Sequence, residues 1–471
     1  MGELNPQIKD QLSKYVRVFD FGEHLCLLNG LSLDKVFIKA DADNQETKDV
    51  LQKYNLLKDF DVKAEKFVSG CQSKFDPSFR QLYLVVTEAC NFDCKYCRQV
   101  THDVKGNRSM TRDEARLIVD NFFNLAEDKP RGVVFYGGEP LVNKEVMLDA
   151  VKYIRQKESK LKLDRPIDMT IITNGTLVDH DSAQVLKDND VYIIMSIDGR
   201  AQEHDKFRVY ANGKGTFDDV IKGYKIYQQA GCRVGISCTI GSHNYDNLED
   251  IFDYFANDLQ PINVGINLPH DDHDNPLNDD LDFGKFCQRM FKIFEQSTDN
   301  NLYIEHIIRK LKLLFRHEIK INDCAACGGR LVALPGQRYG VCEGAIGMDE
   351  FFFTDIKRVA EMSAEWYGTS PLFDDHCSNC AAVGVCGGGC PFDGYLEAKQ
   401  VGHRDSRRCL FMNKIVEWGL ENFYKIHKNK LQGKKYYIPN LSDQHDFLKE
   451  IKAINDSLPL RSSASFSNTK L

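Results

Sequence analysis

Between residues 81 and 267, short apolar, partly β-branched runs alternate with amphipathic stretches of about three to four helical turns. A short apolar run bounded by turn residues suits a buried strand, and an amphipathic stretch of that length suits a helix lying on a sheet. Their regular alternation predicts repeated βα units around a parallel sheet. Expected strands cover 82–87, 132–136, 168–173, 191–197, 233–240 and 262–267, and expected helices cover 112–125, 144–158, 180–188, 217–230 and 245–255. Six strands fall short of the eight of a closed barrel. The pattern therefore predicts an α/β fold on a partial (β/α)6 barrel, with its chemistry at the C-terminal strand ends.

The flanks differ. Residues 1–80 read as a small α+β module, with two or three short strands in 16–39 and a helix over 44–58. The barrel is expected over 81–316, ending in an acidic solvated loop (271–282) and two helices within 283–317. A cysteine-rich region follows at 317–425, then a C-terminal extension at 426–471 whose serine-rich end, 462–467, reads as frayed. A length of 471 residues accommodates about three domains, and no repeat beyond the βα alternation is visible. With 42% hydrophobic and 28% charged residues, no run approaches a membrane span. A net charge of −8 argues against a nucleic-acid-binding role, and the scattered lysines 425, 428, 430, 434 and 435 read as a solvated face. The first 14 residues lack the pattern of an export signal, so a cytoplasmic location is expected.

Cysteine usage is out of line at 16. In a reducing compartment these are poor candidates for disulfides and better ones for metal or redox chemistry. Eleven fall in two zones. Directly after the first expected barrel strand stands Cys90-Asn91-Phe92-Asp93-Cys94-Lys95-Tyr96-Cys97. Three thiolates can hold three irons of a [4Fe-4S] cluster and leave the fourth open to a small molecule. The alternatives are a buried apolar group and a zinc knuckle, the latter short of a fourth ligand because no histidine follows before His102. The second zone comprises Cys377, Cys380, Cys386, Cys390 and Cys409, with Cys324, Cys327 and Cys342 upstream. Eight ligands suffice for two closed clusters, and paired C-x2-C motifs also suit a zinc ribbon. Cys26, Cys71, Cys232, Cys238 and Cys287 read as core or surface thiols.

The triplet and its aromatic Tyr96 resemble the signature of the radical S-adenosylmethionine (SAM) superfamily. So do Gly137-Gly138-Glu139-Pro140 after the second strand, Thr173-Asn174-Gly175 after the third, Ser196-Ile197-Asp198-Gly199 at the end of the fourth, and Arg208 shortly beyond. The resemblance implies that Cys90, Cys94 and Cys97 hold a cluster whose open iron is chelated by SAM. It further implies that Tyr96, Gly137, Gly138, Glu139, Pro140, Asn174, Ser196, Asp198 and Arg208 form the SAM site. The second zone, with Gly387-Gly388-Gly389-Cys390-Pro391, resembles the SPASM extension of these enzymes. Carried over, Cys324, Cys327, Cys342 and Cys390 hold one auxiliary cluster and Cys377, Cys380, Cys386 and Cys409 a second, making three [4Fe-4S] clusters. One departure concerns the first auxiliary set: five residues separate Gly336 from Cys342 where the family usually has four. The implied fold is a partial (β/α)6 radical SAM barrel with a small N-terminal α+β module and a C-terminal cysteine-rich SPASM domain.

The implied reaction is reductive cleavage of SAM to a 5′-deoxyadenosyl radical that removes hydrogen from a peptide or protein, with a flavodoxin- or ferredoxin-type electron donor. Two activities compete. One is maturation of a ribosomally made peptide by a thioether or carbon-carbon cross-link, to which residues 1–80 would contribute a leader-binding sheet. The other is formylglycine formation, as in anaerobic sulfatase-maturating enzymes, where Glu343 occupies the place of a catalytic aspartate and would act as base. A non-catalytic scaffold with structural clusters is a third reading, disfavoured by the presence of both the triplet and the Gly-Gly-Glu-Pro motif.

Overall fold

The computed structural model describes residues 4–451 except 40–44, 74, 99–106, 127–129, 131, 162, 164, 269, 271–281 and 298–302. The expected acidic loop (all but Asp282) and the serine-rich end at 462–467 lie outside the described residues. Near the N-terminus three antiparallel strands, β1 (Val16–Asp20), β2 (His24–Asn29) and β3 (Lys35–Lys39), form a small sheet. β2 is buried along its whole length because its Leu-rich run packs on both faces. The helix expected over 44–58 is shorter, Gln45–Lys53, and Asn55 follows it in the left-handed region at φ 58°.

The six expected barrel strands are all present, with bounds within two residues of expectation: β4 (Gln81–Thr87), β5 (Gly132–Gly137), β6 (Asp168–Thr173), β7 (Val191–Ser196), β8 (Val234–Thr239) and β9 (Val264–Asn267). They pair in parallel and in order, with Leu82 opposite Val133, Val133 opposite Met169, Ile171 opposite Ile193, Ile193 opposite Val234 and Ile236 opposite Val264. Each crossover helix turns one apolar stripe to the sheet. Helix Arg112–Leu125 starts where Thr111 accepts from the Glu114 N–H, and it buries Ala115, Ile118, Val119, Phe122 and Phe123. Helix His180–Asp188 starts on a reciprocal capping box between Asp179 and Ser182. The stretch expected as one helix at 245–255 is composite. A 3₁₀ turn (Tyr245–Asn247) leads into helix Leu248–Tyr254 and a π turn (Phe255–Leu259), which Gln260 ends at φ 53°.

Two additions were not foreseen. β10 (Arg330–Leu334), from the cysteine-rich region, joins β4 in parallel and carries β11 (Arg338–Gly340) antiparallel at its side, so the main sheet runs β11-β10-β4-β5-β6-β7-β8-β9. The second is β12 (Tyr436–Tyr437), which pairs antiparallel with β3, Tyr437 opposite Phe37. It follows helix Ser406–Leu431, which runs through position 425 without a break. The Phe37 ring stacks on Phe423 and Tyr424 of that helix, both at 5.9 Å between centroids. Buried Lys35 donates to the Leu314 carbonyl at 3.3 Å and the Gln444 amide oxygen at 2.9 Å. No helix among the described residues is long and apolar enough to cross a membrane.

Candidate active site

The register of β4 slips at its C-terminal end, between Val85 and Thr87, immediately before the cysteine triplet. Such a bulge re-aims the chain that follows it. The loop is then tied across the barrel mouth: Asp93 N–H donates to Val209 O at 2.7 Å, and Lys95 N–H to Phe207 O at 2.9 Å. Cys90, Cys94 and Cys97 share this loop, and none of them forms a disulfide among the described residues. Burial pushes the Cys94 thiol up to about 12, and its neighbours Cys97 and Cys90 act in the same direction. Three thiols this close repel one another as thiolates and need a cation between them.

Gly137 and Gly138 end β5 against this loop. A Cβ on Gly137, at φ 145°, would lie 2.1 Å from the Thr87 carbonyl oxygen, and one on Gly138 would lie 2.4 Å from that of Ala89. Glycine is therefore demanded by the contact of the two strand ends themselves, before any ligand is considered. Glu139 follows, buried, accepting from Leu141 N–H at 3.0 Å, Thr173 Oγ1 at 2.7 Å and Asn174 N–H at 2.7 Å. Burial pushes its carboxyl up to about 7 against the pull of these three donors. Pro140 opens a short 3₁₀ turn over Pro140–Asn143. The Asn174 side chain donates to Asn91 Oδ1 at 2.9 Å, linking the third strand end to the triplet loop.

Asp198 is fully buried beyond β7 and accepts from Tyr96 OH at 2.6 Å, Arg208 Nε at 2.8 Å, Arg208 Nη2 at 3.1 Å and Thr239 N–H at 2.9 Å. Burial alone would raise its pKa. The Arg208 charge and the bonds from His243 and Arg208 outweigh it and hold the carboxyl well below its usual range. His243 lies 3.5 Å from the same carboxylate, and His204 Nδ1 accepts from Asp198 N–H at 3.4 Å. His243 is isolated in the sequence, with no motif to mark it, whereas His204 opens the stretch His204-Asp205-Lys206-Phe207-Arg208 that ends in Arg208. Arg208 thus presents two of its nitrogens to Asp198, and Arg208 and Tyr96 line the cavity in front of that buried carboxylate. Ser196, half-buried at the end of β7, lines the same cavity.

The cysteine-rich region sorts its eight thiols into two groups. Burial first, then Cys324 and Cys390, hold the Cys327 thiol well above its ordinary range, and burial with Cys390 and Cys324 does the same for Cys342. Cys377 answers instead to burial, Cys386 and Cys380, and Cys409 to burial and the same two neighbours. The groups are joined by Gly387, Gly388 and Gly389, at φ 69°, 91° and 73°, a left-handed run that turns the chain from Cys386 to Cys390. Cations accompany the sulfurs. Buried Lys310 donates to the Val385 and Cys386 carbonyls at 2.9 and 2.8 Å and meets Asp323 at 3.0 Å, where Arg309 also binds. Clustered thiols in sets of three and four, most of them half-buried, with Cys327 and Cys342 buried and Cys409 exposed, are a donor set that fits iron–sulfur clusters.

One cavity of about 800 Å³ joins these parts, running from Cys90, Cys94 and Cys97 past Gly137, Gly138, Asn174 and Arg208 to Cys324, Cys342 and Cys390. Glu343 faces it, ion-paired with Arg330, whose guanidinium lies 4.4 Å above the Tyr83 ring. Tyr83 in turn meets Tyr136 edge-on at 5.8 Å. Sequence reasoning missed Arg330, and also His270, whose Nδ1 lies 2.5 Å from buried Asp393, itself held by Arg408 at 3.0 Å. Of the five remaining cysteines, Cys26, Cys71, Cys238 and Cys287 are buried, and Cys232 is half-buried and donates to Ala183 O at 3.5 Å.

Residues 84–255 match the model of the radical SAM superfamily. The chain is 25% identical over 387 residues to the radical SAM cyclopropyl synthase TigE of Paramaledivibacter caminithermalis, covering 74% of this chain and 77% of TigE. It is 25% identical over 336 residues to the cysteine-type anaerobic sulfatase-maturating enzyme of Clostridium novyi, covering 66% and 88%. Among solved structures it superposes on anSMEcpe with bound AdoMet at a TM-score of 0.61 and 18% identity, over 74% of this chain and 99% of that one. Against Streptococcus suis SuiB bound to its precursor peptide SuiA the TM-score is 0.52 at 13% identity, over 84% and 99%. At these identities the two superpositions establish a shared fold. The strand-end motifs, the parallel barrel and the match over 84–255 agree: the chain contains a radical SAM domain.

Proposed function

We propose that this chain is a peptide maturase that oxidises a ribosomally made peptide, forming a thioether or carbon-carbon cross-link. The observation that carries the reading is the single cavity with Cys90, Cys94 and Cys97 at one end and Cys324, Cys342 and Cys390 at the other. Bound SAM and the cluster on the triplet supply a 5′-deoxyadenosyl radical able to take a hydrogen atom from unactivated carbon. The chain's own residues do the rest. Gly137, Gly138, Glu139, Pro140, Asn174, Ser196, Asp198, Arg208 and Tyr96 shape the cofactor end. Glu343, oriented by Arg330, takes the substrate proton. Loss of one hydrogen atom, one proton and one further electron, the last toward the Cys324, Cys327, Cys342 and Cys390 quartet, is a net two-electron oxidation. Cys377, Cys380, Cys386 and Cys409 hold the third cluster, a flavodoxin- or ferredoxin-type protein provides the reducing electron, and the reaction belongs in the cytoplasm.

The N-terminal sheet supports a peptide substrate. Among the described residues β1 pairs only with β2, and its Val18 is 41% exposed, whereas the outer edge of β3 is paired with β12. A leader adding a strand at β1 would gain main-chain hydrogen bonds there. The similarity to the cysteine-type anaerobic sulfatase-maturating enzyme of Clostridium novyi supports formylglycine formation as the second reading. Iron analysis and product mass separate the possibilities. Anaerobically reconstituted protein should hold about 12 irons, on four per cluster. The peptide encoded beside this gene should lose two hydrogens per cross-link without gaining an aldehyde. About four irons with zinc present would overturn the auxiliary assignment, and a hydrazine-reactive product would select the second reading.

A further inference from the structure

Arg17 belongs to β1, yet it reaches the loop between Cys377 and Cys380. Its Nη2 donates to the Asn379 carbonyl while Nη1 caps its own strand at Val16 O. Burial draws its pKa down, and charge on the Cys380 sulfur opposes that shift. The N-terminal sheet also touches this loop by main chain. Gly384 N–H donates to Gly30 O at 2.8 Å, and a Cβ on Gly30 would lie 2.5 Å from the Cys380 carbonyl oxygen. On its far side the Cys380 sulfur accepts from Asn413 Nδ2 at 3.4 Å. The Cys380–Cys386 loop is thus held between the N-terminal sheet and the buried Lys310.

We propose that Arg17 is a cation supplied by the N-terminal module to set the reduction potential of the cluster on Cys377, Cys380, Cys386 and Cys409, an inference that rests on the assignment of that quartet to a cluster. Reduction adds one negative charge to a group that already carries four thiolates, and a guanidinium nearby stabilises the added electron. Arg17 is only half-buried, so solvent screens part of the effect. Because Arg17 stands on β1, whose outer edge is unpaired among the described residues, a peptide docking there would change the dielectric around it, and substrate binding would be felt at the cluster.

The test is an anaerobic potentiometric titration of the full-length holoenzyme followed by electron paramagnetic resonance. The signal that C377A removes identifies the cluster concerned. R17Q should shift its midpoint to more negative values by about tenfold in the reduction equilibrium, about 59 mV for one electron, at unchanged iron content. R17K should restore most of the shift. A wild-type potential in R17Q with full iron overturns the inference and leaves the quartet assignment standing. If R17Q loses iron, R17K carries the test, since a retained charge must retain both the iron and a near-wild-type potential, and failure of either overturns it. If C377A leaves iron and spectra unchanged, the quartet assignment falls and the inference with it.

Discussion

Glu139 at the end of β5 and Asn174 at the end of β6 are joined across the barrel mouth by a 2.7 Å hydrogen bond from the Asn174 N–H to the Glu139 carboxylate. With the Thr173 and Leu141 bonds, one side chain fixes two strand ends that the radical SAM motif places side by side. E139A would leave three donors without their acceptor, each costing about 1–3 kcal/mol when buried. The expected outcome is a clear drop in melting temperature and loss of SAM binding by equilibrium dialysis. E139D, too short to reach all three donors, should fall between E139A and wild type.

His204 gives the protein an acid limit within a range that iron–sulfur proteins survive. Its ring is fully buried, and burial lowers its pKa from 6.5 to about 3, with the Arg208 charge adding to the effect. Between those values the unfolded chain binds the proton and the folded one does not, so stability falls as pH drops below about 6.5. The slope approaches about 1.4 kcal/mol per pH unit for one such group. Anaerobic melting curves at pH 7.5, 6.5 and 5.5 should show the decline, and H204Q should flatten it. Parallel slopes in the two proteins would refute the assignment.

Glu343 and Arg330 are expected to act after SAM cleavage. E343Q should leave 5′-deoxyadenosine formation close to wild type and lower peptide oxidation by about 100-fold or more, the range of a positioned base. R330M should slow oxidation less, because it disturbs the orientation of Glu343 without removing the carboxylate.

Phe37 tests how firmly the N-terminal sheet is held. F37A removes a fully buried ring that stacks on Phe423 and Tyr424, and truncations of this size cost about 3–5 kcal/mol. Limited proteolysis should then cut within the N-terminal module and near Tyr437 before it attacks the barrel.

Strands β4 to β9 were legible because each is an apolar run whose partner is its neighbour in sequence, so periodicity alone orders the sheet. β10 was hidden inside a cysteine-rich segment, and it joins β4 through a contact some 250 residues away that no local pattern encodes. β12 has two residues, too few to show any period. The site divides the same way. Cysteine spacing and the strand-end motifs marked Cys90 to Cys97, Glu139, Asp198 and Arg208. His243, Arg330, His270 and Arg17 carry no motif, and only the fold brings them to the residues they serve.

The pairing of Tyr436 and Tyr437 with Ile38 and Phe37 has a consequence during synthesis. About 400 residues must be translated after β3 before its partner exists, roughly 20 to 80 s at about 5–20 residues per second. Throughout that interval Val36, Phe37 and Ile38 lie on an uncovered strand edge, which is the kind of surface through which nascent chains pair with one another. Slower translation or a missing trigger-type chaperone should therefore lower the yield of soluble protein more than it affects the barrel alone, and the vulnerable moment ends only when the C-terminal tyrosines leave the ribosome.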